Sequence, residues 1–345
     1  MTHFVGLDVS VQETAICIVD GEGTVVCERK VATEPDEIIT WLTSVGEIYT
    51  RIGIEAGPLS QWLVNALVQA GLPIVCVETR HMNALLKAQQ INKSDQNDAR
   101  GIARMIRVGL FKAVHVKTLD SQEKRLLLTN RKLLQRKLLD IESELRGTLR
   151  NFGLKVGTVS SGKFDARIRE LVERIPRLEA VVVPVLVVRR AIREQLAALH
   201  KLLLDQVRDD PVCRRLMTAP GVGPIVALTY RSAIDQPHRF VHSRAVGANL
   251  GLTPKRYQSG EVDYDGRISK CGDAMLRTAL FEAAQSLMFH SRRWSSLKAW
   301  GVRVAQRRGM RRAVVAVARR MAVILHRMWI DGTDFRWGKD PAITV

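Results

Sequence analysis

The chain has little cysteine, and what it has is scattered. Cys17, Cys27, Cys76, Cys213 and Cys271 form no CxxC pair and no cluster with histidine. An odd, dispersed set argues against a disulfide framework and against a cysteine-based zinc site, and it points to a reducing, cytoplasmic compartment. Long apolar runs are also missing. A stretch such as 180–188 is about half the length of a membrane span, and no basic-then-apolar leader opens the sequence. The expectation is an unexported, soluble protein with no membrane partner.

Acidic residues are scarce too, but only in part of the chain. The formal charge is +18 over 345 residues, yet residues 1–117 hold 13 acidic and 11 basic side chains, whereas 118–345 hold 22 and 42. From residue 291 onward there are 13 basic residues and 3 acidic ones. Such a lopsided excess suits a polyanion, because each phosphate neutralised by Lys or Arg releases condensed counterions. With 46% hydrophobic and 26% charged residues the chain buries ordinary cores, and its length predicts two or three domains.

The first part reads as strands at 4–8, 14–20 and 25–31, separated by turns short enough for an antiparallel meander. A helix at 34–42, a strand at 51–55, a helix at 60–70, a strand at 73–77 and a helix over 95–108 follow. Three antiparallel strands and then alternating helices and strands is the order of an α/β, ribonuclease H-like fold. From about 121 to 207 the pattern changes to two long helices, broken near 153–162 and forming either an antiparallel hairpin or a coiled coil between protomers. Pro184 is expected to mark the start or a kink of the second helix. Beyond 211, Pro220-Gly221-Val222-Gly223 reads either as a helix-hairpin-helix turn offering Gly221 and Gly223 backbone N–H groups to a phosphate, or as a plain turn. Residues 251–272 are rich in turn formers, a helix runs from Asp273 to 288, and 292–329 is helical and studded with Arg307, Arg308, Arg311 and Arg312. Trp294, Trp300, Trp329 and Trp337 punctuate that last part, suited either to core anchoring or to base stacking.

Four carboxylates carry the chemistry. Asp8 closes the strand Val5-Gly6-Leu7-Asp8, and Glu55 closes Ile52-Gly53-Ile54-Glu55. In Lys93-Ser94-Asp95-Gln96-Asn97-Asp98-Ala99-Arg100, Asp95 and Asp98 are three apart and share one helical face, with Ser94 placed to cap the helix. Gathered carboxylates repel one another and need cations. Two-metal phosphoryl transfer supplies the reason, with ions about 3.5–4 Å apart activating the attacking oxygen and stabilising the leaving one. Hard oxygen donors select Mg²⁺ or Mn²⁺.

These acid segments, together with Pro220–Gly223, Leu250 to Pro254, Gln258-Ser259-Gly260 and Arg267-Ile268-Ser269-Lys270, resemble a family of insertion-sequence transposases. Its members pair a RuvC-like DEDD domain with a C-terminal serine domain, and include Piv-type invertases and bridge-RNA-guided recombinases. The resemblance implies strand exchange through a covalent 5′-phosphoserine, with Asp8, Glu55, Asp95 and Asp98 as Mg²⁺ ligands and Ser259 as nucleophile. Glu261 stands where many relatives have a second glycine. From side-chain chemistry alone Ser243 and Ser269 compete with Ser259. Lys255, Arg256, Arg267 and Lys270 flank the loop and are expected either to neutralise phosphate or to be solvated surface charges.

The resulting expectation is a Mg²⁺-dependent DNA transposase or recombinase acting on donor and target double-stranded DNA. A guide RNA is implied by the resemblance, and a homo-oligomer, dimer or tetramer, by the need to hold two DNA partners. The expected domains are 1–117 (RuvC-like), 118–210 (helical hairpin or coiled coil) and 211–345 (basic, serine-containing, mainly α). The alternatives are a RuvC-like junction nuclease that hydrolyses DNA with water, and a non-catalytic nucleic-acid-binding regulator.

Overall fold

The structure is a computed structural model and describes residues 2–80, 82 and 94–338. The chain divides into two compact units, Met1–Lys117 and Thr118–Val345. The motif residue Lys93 lies outside the described residues.

The first unit opens with β1 (His3–Val9), β2 (Glu13–Val19) and β3 (Val25–Ala32), an antiparallel meander. Helix α1 (Pro35–Val45) leads to β4 (Tyr49–Glu55), and α2 (Ser60–Gln69) leads to β5 (Ile74–Val77). The helical crossovers make β1, β4 and β5 mutually parallel in a five-stranded sheet of order β3-β2-β1-β4-β5. Alternation then sorts the side chains. Val5, Leu7, Ile16, Ile18, Ile52 and Ile54 pack with Ile38 and Leu42 of α1 and Leu63 and Leu67 of α2 on one face. The opposite face presents Gly6, Ala15, Cys17 and Gly53 to helix α3 (Asp95–Val108).

Small residues let α3 lie almost on the sheet. A Cβ at Gly6 would stand 2.1 Å from the Ala99 carbonyl oxygen and 2.5 Å from the Ala103 nitrogen. Backbone meets backbone there, so no rotamer change relieves the clash. Ala99 and Ala103 are themselves fully buried.

The second unit is mainly helical. The long helices α4 (Leu119–Arg150) and α6 (Pro176–Asp209) flank the short α5 (Phe164–Val172). Leu128 clusters with Leu203 and Val207, whereas Leu145 and Leu149 cluster with Val182 and Leu186, so α4 and α6 run antiparallel as a hairpin within one chain. Arg189 is wholly buried at the far end of that hairpin, where it binds Glu142, Asp165 and the Ser161 carbonyl. Pro184 corrects the expectation that it marks the start or a kink of the second helix rather than its interior: it sits inside α6, which begins at Pro176. Its missing N–H leaves the Ala180 carbonyl without an intrahelical partner. Pro184 and Ala180 both belong to the exposed side of the helix, where an unpaired carbonyl costs less than in a core.

Helices α7 (Pro211–Leu216) and α8 (Pro224–Ile234), the short 3₁₀ turn Pro237–Arg239, and α9 (Arg244–Asn249) follow. Then comes a feature that turn-rich composition concealed, the two-stranded antiparallel hairpin β6 (Pro254–Ser259) and β7 (Val262–Ile268). Helix α10 (Ala274–Phe289), capped by Asp273, α11 (Ser296–Arg308) and α12 (Met310–Asp331) close the unit. The arginine-rich stretch is thus two helices parted at Gly309. A single core joins Leu216, Tyr230, Leu280, Leu287, Val317 and Leu325. Among the described residues no helix is long and apolar enough to cross a membrane.

Gly6→Ala should destabilise the first unit by about 1–3 kcal/mol through overpacking, measured by denaturant unfolding. Gly147→Ala, at an α4 position where a Cβ meets nothing within 4 Å, should be neutral or stabilising by up to about 1 kcal/mol.

Candidate active site

Asp8 lies opposite Ala15, and Ala15 lies opposite Lys30. On the other side, the last β1–β4 ladder pair is Leu7 with Ile54, so Asp8 and Glu55 are the next residues along two neighbouring parallel strands. Lys30, Ala15, Asp8 and Glu55 therefore form one row across four strands, and alternation points the row to the face that carries α3. Asp8 and Glu55 are half-buried.

The first turn of α3 supplies the other two acids. Ser94 caps the helix by accepting a hydrogen bond from the Asn97 backbone N–H at 3.3 Å, and Asp95 and Asp98 in that turn are favoured by the positive end of the helix dipole. Asp95 reaches the strand row directly, where its Oδ2 accepts from Lys30 Nζ at 2.7 Å. The hydrogen bond to Asp95, and then Asp95's charge, hold the Lys30 ammonium above its ordinary range, with Glu13 and Asp8 adding to the effect. Lys30 is thus already a cation held by these carboxylates.

One residue row below, Arg100 of α3 grips Glu28 of β3 with both ends of its guanidinium, Nη2 to Oε2 at 2.6 Å and Nε to Oε1. This hydrogen bonding lowers the Glu28 carboxyl below its ordinary value, helped by the Cys17 thiol. Burial, with the neighbouring Glu28 charge, pushes Cys17 up to about 12, so its thiol stays protonated. The pair clamps the start of α3 to the sheet edge, which fixes where Asp95 and Asp98 stand.

Among the described residues no three Asp, Glu, His or Cys side chains are gathered tightly enough to hold an ion as they stand. The donor chemistry nonetheless fits a hard divalent cation: every donor is a carboxylate, and Lys30 shows that the row attracts positive charge.

The three candidate serines sit in the second unit in different surroundings. Ser259 ends β6, pairs with Val262 and is exposed. Gly260 and Glu261 form the two-residue turn, with φ at Gly260 of 56°. A turn of the II′ kind needs left-handed backbone only at its first central position, so Glu261 is accommodated at the second. Ser243 is half-buried with its hydroxyl 2.9 Å from His326 Nδ1. His326 Nε2 lies 2.9 Å from the Pro237 carbonyl, which only accepts, so Nε2 carries the proton and Ser243 donates to Nδ1. Burial holds this imidazole below its ordinary range. Ser269 is half-buried just after β7, its Oγ accepting from the Cys271 N–H at 3.4 Å.

The basic residues divide as well. Arg256 is spent on Asp263 in a bidentate pair of 3.0 and 2.6 Å, while Lys255, Arg267 and Lys270 are exposed. Arg307, Arg308, Arg311 and Arg312 are exposed around the α11–α12 corner. A Cβ on Gly221 would lie 2.2 Å from the Ala283 carbonyl oxygen, so this glycine lets its turn pack on α10, whereas Gly223 faces open space at the start of α8. Each of the four tryptophans singled out in the sequence stands under a cation: Trp294 under Lys298, Trp300 under Arg320, Trp329 under Arg231 and Trp337 under Arg293. Sequence reasoning missed Lys30 and the Glu28–Arg100 clamp, because only cross-strand register brings β3 to the acids.

A mixed sheet in this strand order, with acids closing β1 and β4 and two more opening a helix laid across that end, defines a RuvC-like, DEDD-type phosphoryl-transfer fold. Residues 5–153 match the family model for DEDD-type IS110 transposases, described simply as Transposase, and residues 213–299 match the one described as Transposase IS116/IS110/IS902 family. The chain belongs to the IS110/IS116/IS902 family of transposases. It is therefore a phosphoryl-transfer enzyme whose partner is DNA. The transposase for insertion sequence element IS1111A of Coxiella burnetii is 27% identical over 96% of this chain and 91% of its own length. The transposase for insertion sequence element IS1328 of Yersinia enterocolitica is 25% identical over 69% and 70%. Thermus thermophilus RuvC aligns with 32% of this chain and 99% of its own, at 15% identity and a TM-score of 0.25.

The Glu28 carboxyl, lowered in the folded chain, contributes stability that is fully present above its ordinary value of 4.5 and is lost as pH falls through the folded value. Denaturant unfolding should therefore find Glu28→Gln less stable than the parent by on the order of 1 kcal/mol at neutral pH. That gap should shrink on acidification below 4.5. A gap that does not change with pH would show that the clamp is not ionic.

Proposed function

We propose that this transposase cuts and exchanges DNA strands through a covalent 5′-phosphoserine on Ser259, with Asp8, Glu55, Asp95 and Asp98 holding Mg²⁺ or Mn²⁺. The observation that carries the reading is the row of Asp8 and Glu55 under the acidic first turn of α3, with Lys30 already bound there as a cation. Bound metal would supply Lewis-acid polarisation of a phosphoryl oxygen and a lowered cost of oxygen deprotonation. Ser259 Oγ attacks phosphorus, an Oγ–P bond forms and the P–O3′ bond breaks. The proton lost by Oγ is balanced by the one taken up by the departing 3′-oxygen. Attack by another strand's 3′-hydroxyl reverses these changes and joins new partners.

Ser259 is favoured over its rivals because it is exposed at a hairpin tip. Ser243 has its hydroxyl engaged with His326, and Ser269 is held in a local turn. Phosphate neutralisation falls to Lys255, Arg267 and Lys270 near the hairpin, with Arg256 available once it leaves Asp263, and to Arg307, Arg308, Arg311 and Arg312 at the α11–α12 corner. Gly221 and Gly223 would serve by backbone N–H groups. An element-derived guide RNA is part of the reading: the family resemblance suggests it and the basic second unit accommodates it, leaving sequence choice to base pairing. A homo-oligomer would hold two DNA partners, and the exposed Leu126, Leu133, Val181, Val188 and Leu202 on α4 and α6 support helix pairing between chains. The functional parts would then be 1–117, 118–210 and 211–345.

The test is a nicked suicide oligonucleotide from an element end, incubated with protein and Mg²⁺ and resolved for protein–DNA adduct. Parent, Ser243→Ala and Ser269→Ala should form the adduct. Ser259→Ala, Asp8→Asn and Glu55→Gln should each lose it by more than about 10³-fold. Cleavage without adduct would favour hydrolysis by water, and an adduct persisting in Ser259→Ala would refute the serine assignment.

A further inference from the structure

The hairpin that carries Ser259 has two unlike faces. Tyr257 lies opposite Tyr264, and Ser259 lies opposite Val262. Side chains alternate along a strand, so Lys255, Tyr257 and Ser259 share a face with Val262, Tyr264 and Gly266. Arg256, Gln258, Asp263 and Asp265 occupy the other face, where Arg256 and Asp263 neutralise each other. Both acids within the strands are therefore turned away from the serine. A register shift at Lys255 sets both Gly266 and Arg267 opposite it, so the serine face carries two aromatic rings, two basic residues, Lys255 and Arg267, and no carboxylate from the strands.

Those rings are left in solvent. Tyr257 and Tyr264 are each 56% exposed and Val262 is 51% exposed, and the tyrosine centroids lie 5.3 Å apart with planes 30° from parallel. The chain has four tyrosines. Tyr49 and Tyr230 are tied down through their hydroxyls, to the Leu42 and Ala322 carbonyls, so the chain places its other two side by side in water. A two-stranded hairpin gains little stability by itself. An exposed aromatic platform with no acid on its face and a lysine beside it is complementary to nucleic acid, whose bases stack on aromatic rings whatever their sequence.

We propose that the Tyr257–Tyr264 face docks on the DNA strand that presents its phosphate to Ser259, with the tyrosines stacking on an unpaired base beside that phosphate and Lys255 lying along the backbone. This rests on Ser259 being the nucleophile. Two residues of strand span roughly 6.8 Å, about two base rises of 3.4 Å, so the base held lies within about two nucleotides of the phosphate at Ser259. Strand exchange unpairs bases at the crossover, whereas an intact duplex keeps its base faces stacked. Tyr257 and Tyr264 are then positioning residues that hold the strand while Ser259 reacts, and the proposal favours opened over fully paired DNA.

The experiment uses the full chain and an element-end duplex with a short unpaired stretch at the cleavage position. The stretch carries 2-aminopurine for fluorescence and, separately, 5-bromouracil for photo-crosslinking. With unmutated protein, the fluorescence should be quenched on binding, and the crosslinked peptide should contain Tyr257 or Tyr264. In a Ser259→Ala background, where binding is read without chemistry, Tyr257→Ala/Tyr264→Ala should weaken binding of the opened duplex by about 5- to 150-fold. It should leave fully paired DNA unaffected, and the Phe pair should restore binding. Because the Ala pair could loosen the hairpin, crosslinking of the unmutated protein stands as an independent measurement. No quench and no hairpin crosslink, with the Ser259 adduct still formed, would overturn the docking face and leave the serine reading intact. Hairpin crosslinks without any Ser259 adduct would support docking and overturn the serine reading. Crosslinks to co-purified RNA and none to DNA would overturn the choice of DNA.

Discussion

The contact on which the active site depends is backbone against backbone, where α3 crosses β1 at Gly6. The Ala99 carbonyl and Ala103 nitrogen approach so closely that no side chain fits between, and close packing of that kind transmits any displacement. The helix carries Asp95 and Asp98 in its first turn, and the strand carries Asp8 two residues beyond the glycine. A larger residue at position 6 would lift the helix and separate the acids together. The Arg100–Glu28 clamp secures the same helix from the sheet edge, and the Lys30–Asp95 pair offsets part of the repulsion among carboxylates that have to be close.

Charge is partitioned along the chain in a way that suits phosphoryl transfer. The unit with the acids has a slight excess of negative charge, and the remainder carries the whole positive surplus. Carboxylates attract metal only where lysine and arginine do not swamp them, and phosphate backbones are held only where arginines outnumber acids. Under the proposed function, the exposed arginines at the α11–α12 corner and the lysines near the hairpin would supply the second condition. Four of the tryptophans lie beneath cations at 4.2–5.7 Å, so part of that positive charge sits over aromatic faces.

Much of the first unit was legible in the sequence because its strands bury one face and alternate accordingly, and because Ser94 announces the start of α3. The fold class and the family resemblance followed from these elements. Lys30 was not legible, since its place beside the acids depends on pairing with Ala15 across a turn. The hairpin over 254–268 was hidden for the opposite reason: both its faces are wet, so no apolar alternation marks it. Pro184 misled because proline usually ends helices, yet on the solvent side of α6 the Ala180 carbonyl that it leaves unpaired costs little. Neither the engagement of Ser243 by His326 nor the closeness of Gly221 to α10 leaves a local signature, as the partners are 83 and 62 positions away.

The proposal at the centre is that Asp8, Glu55 and the first turn of α3 together hold divalent metal. Iron-directed hydroxyl-radical cleavage reads this directly: Fe²⁺ replaces Mg²⁺, and ascorbate with peroxide cuts the backbone around wherever the ion sits. The expected result is three clusters of cuts, near residue 8, near residue 55 and near residues 95–98, all lost in Asp8→Asn/Glu55→Gln. Cuts at only one of these segments, or a pattern unchanged in the double variant, would contradict it.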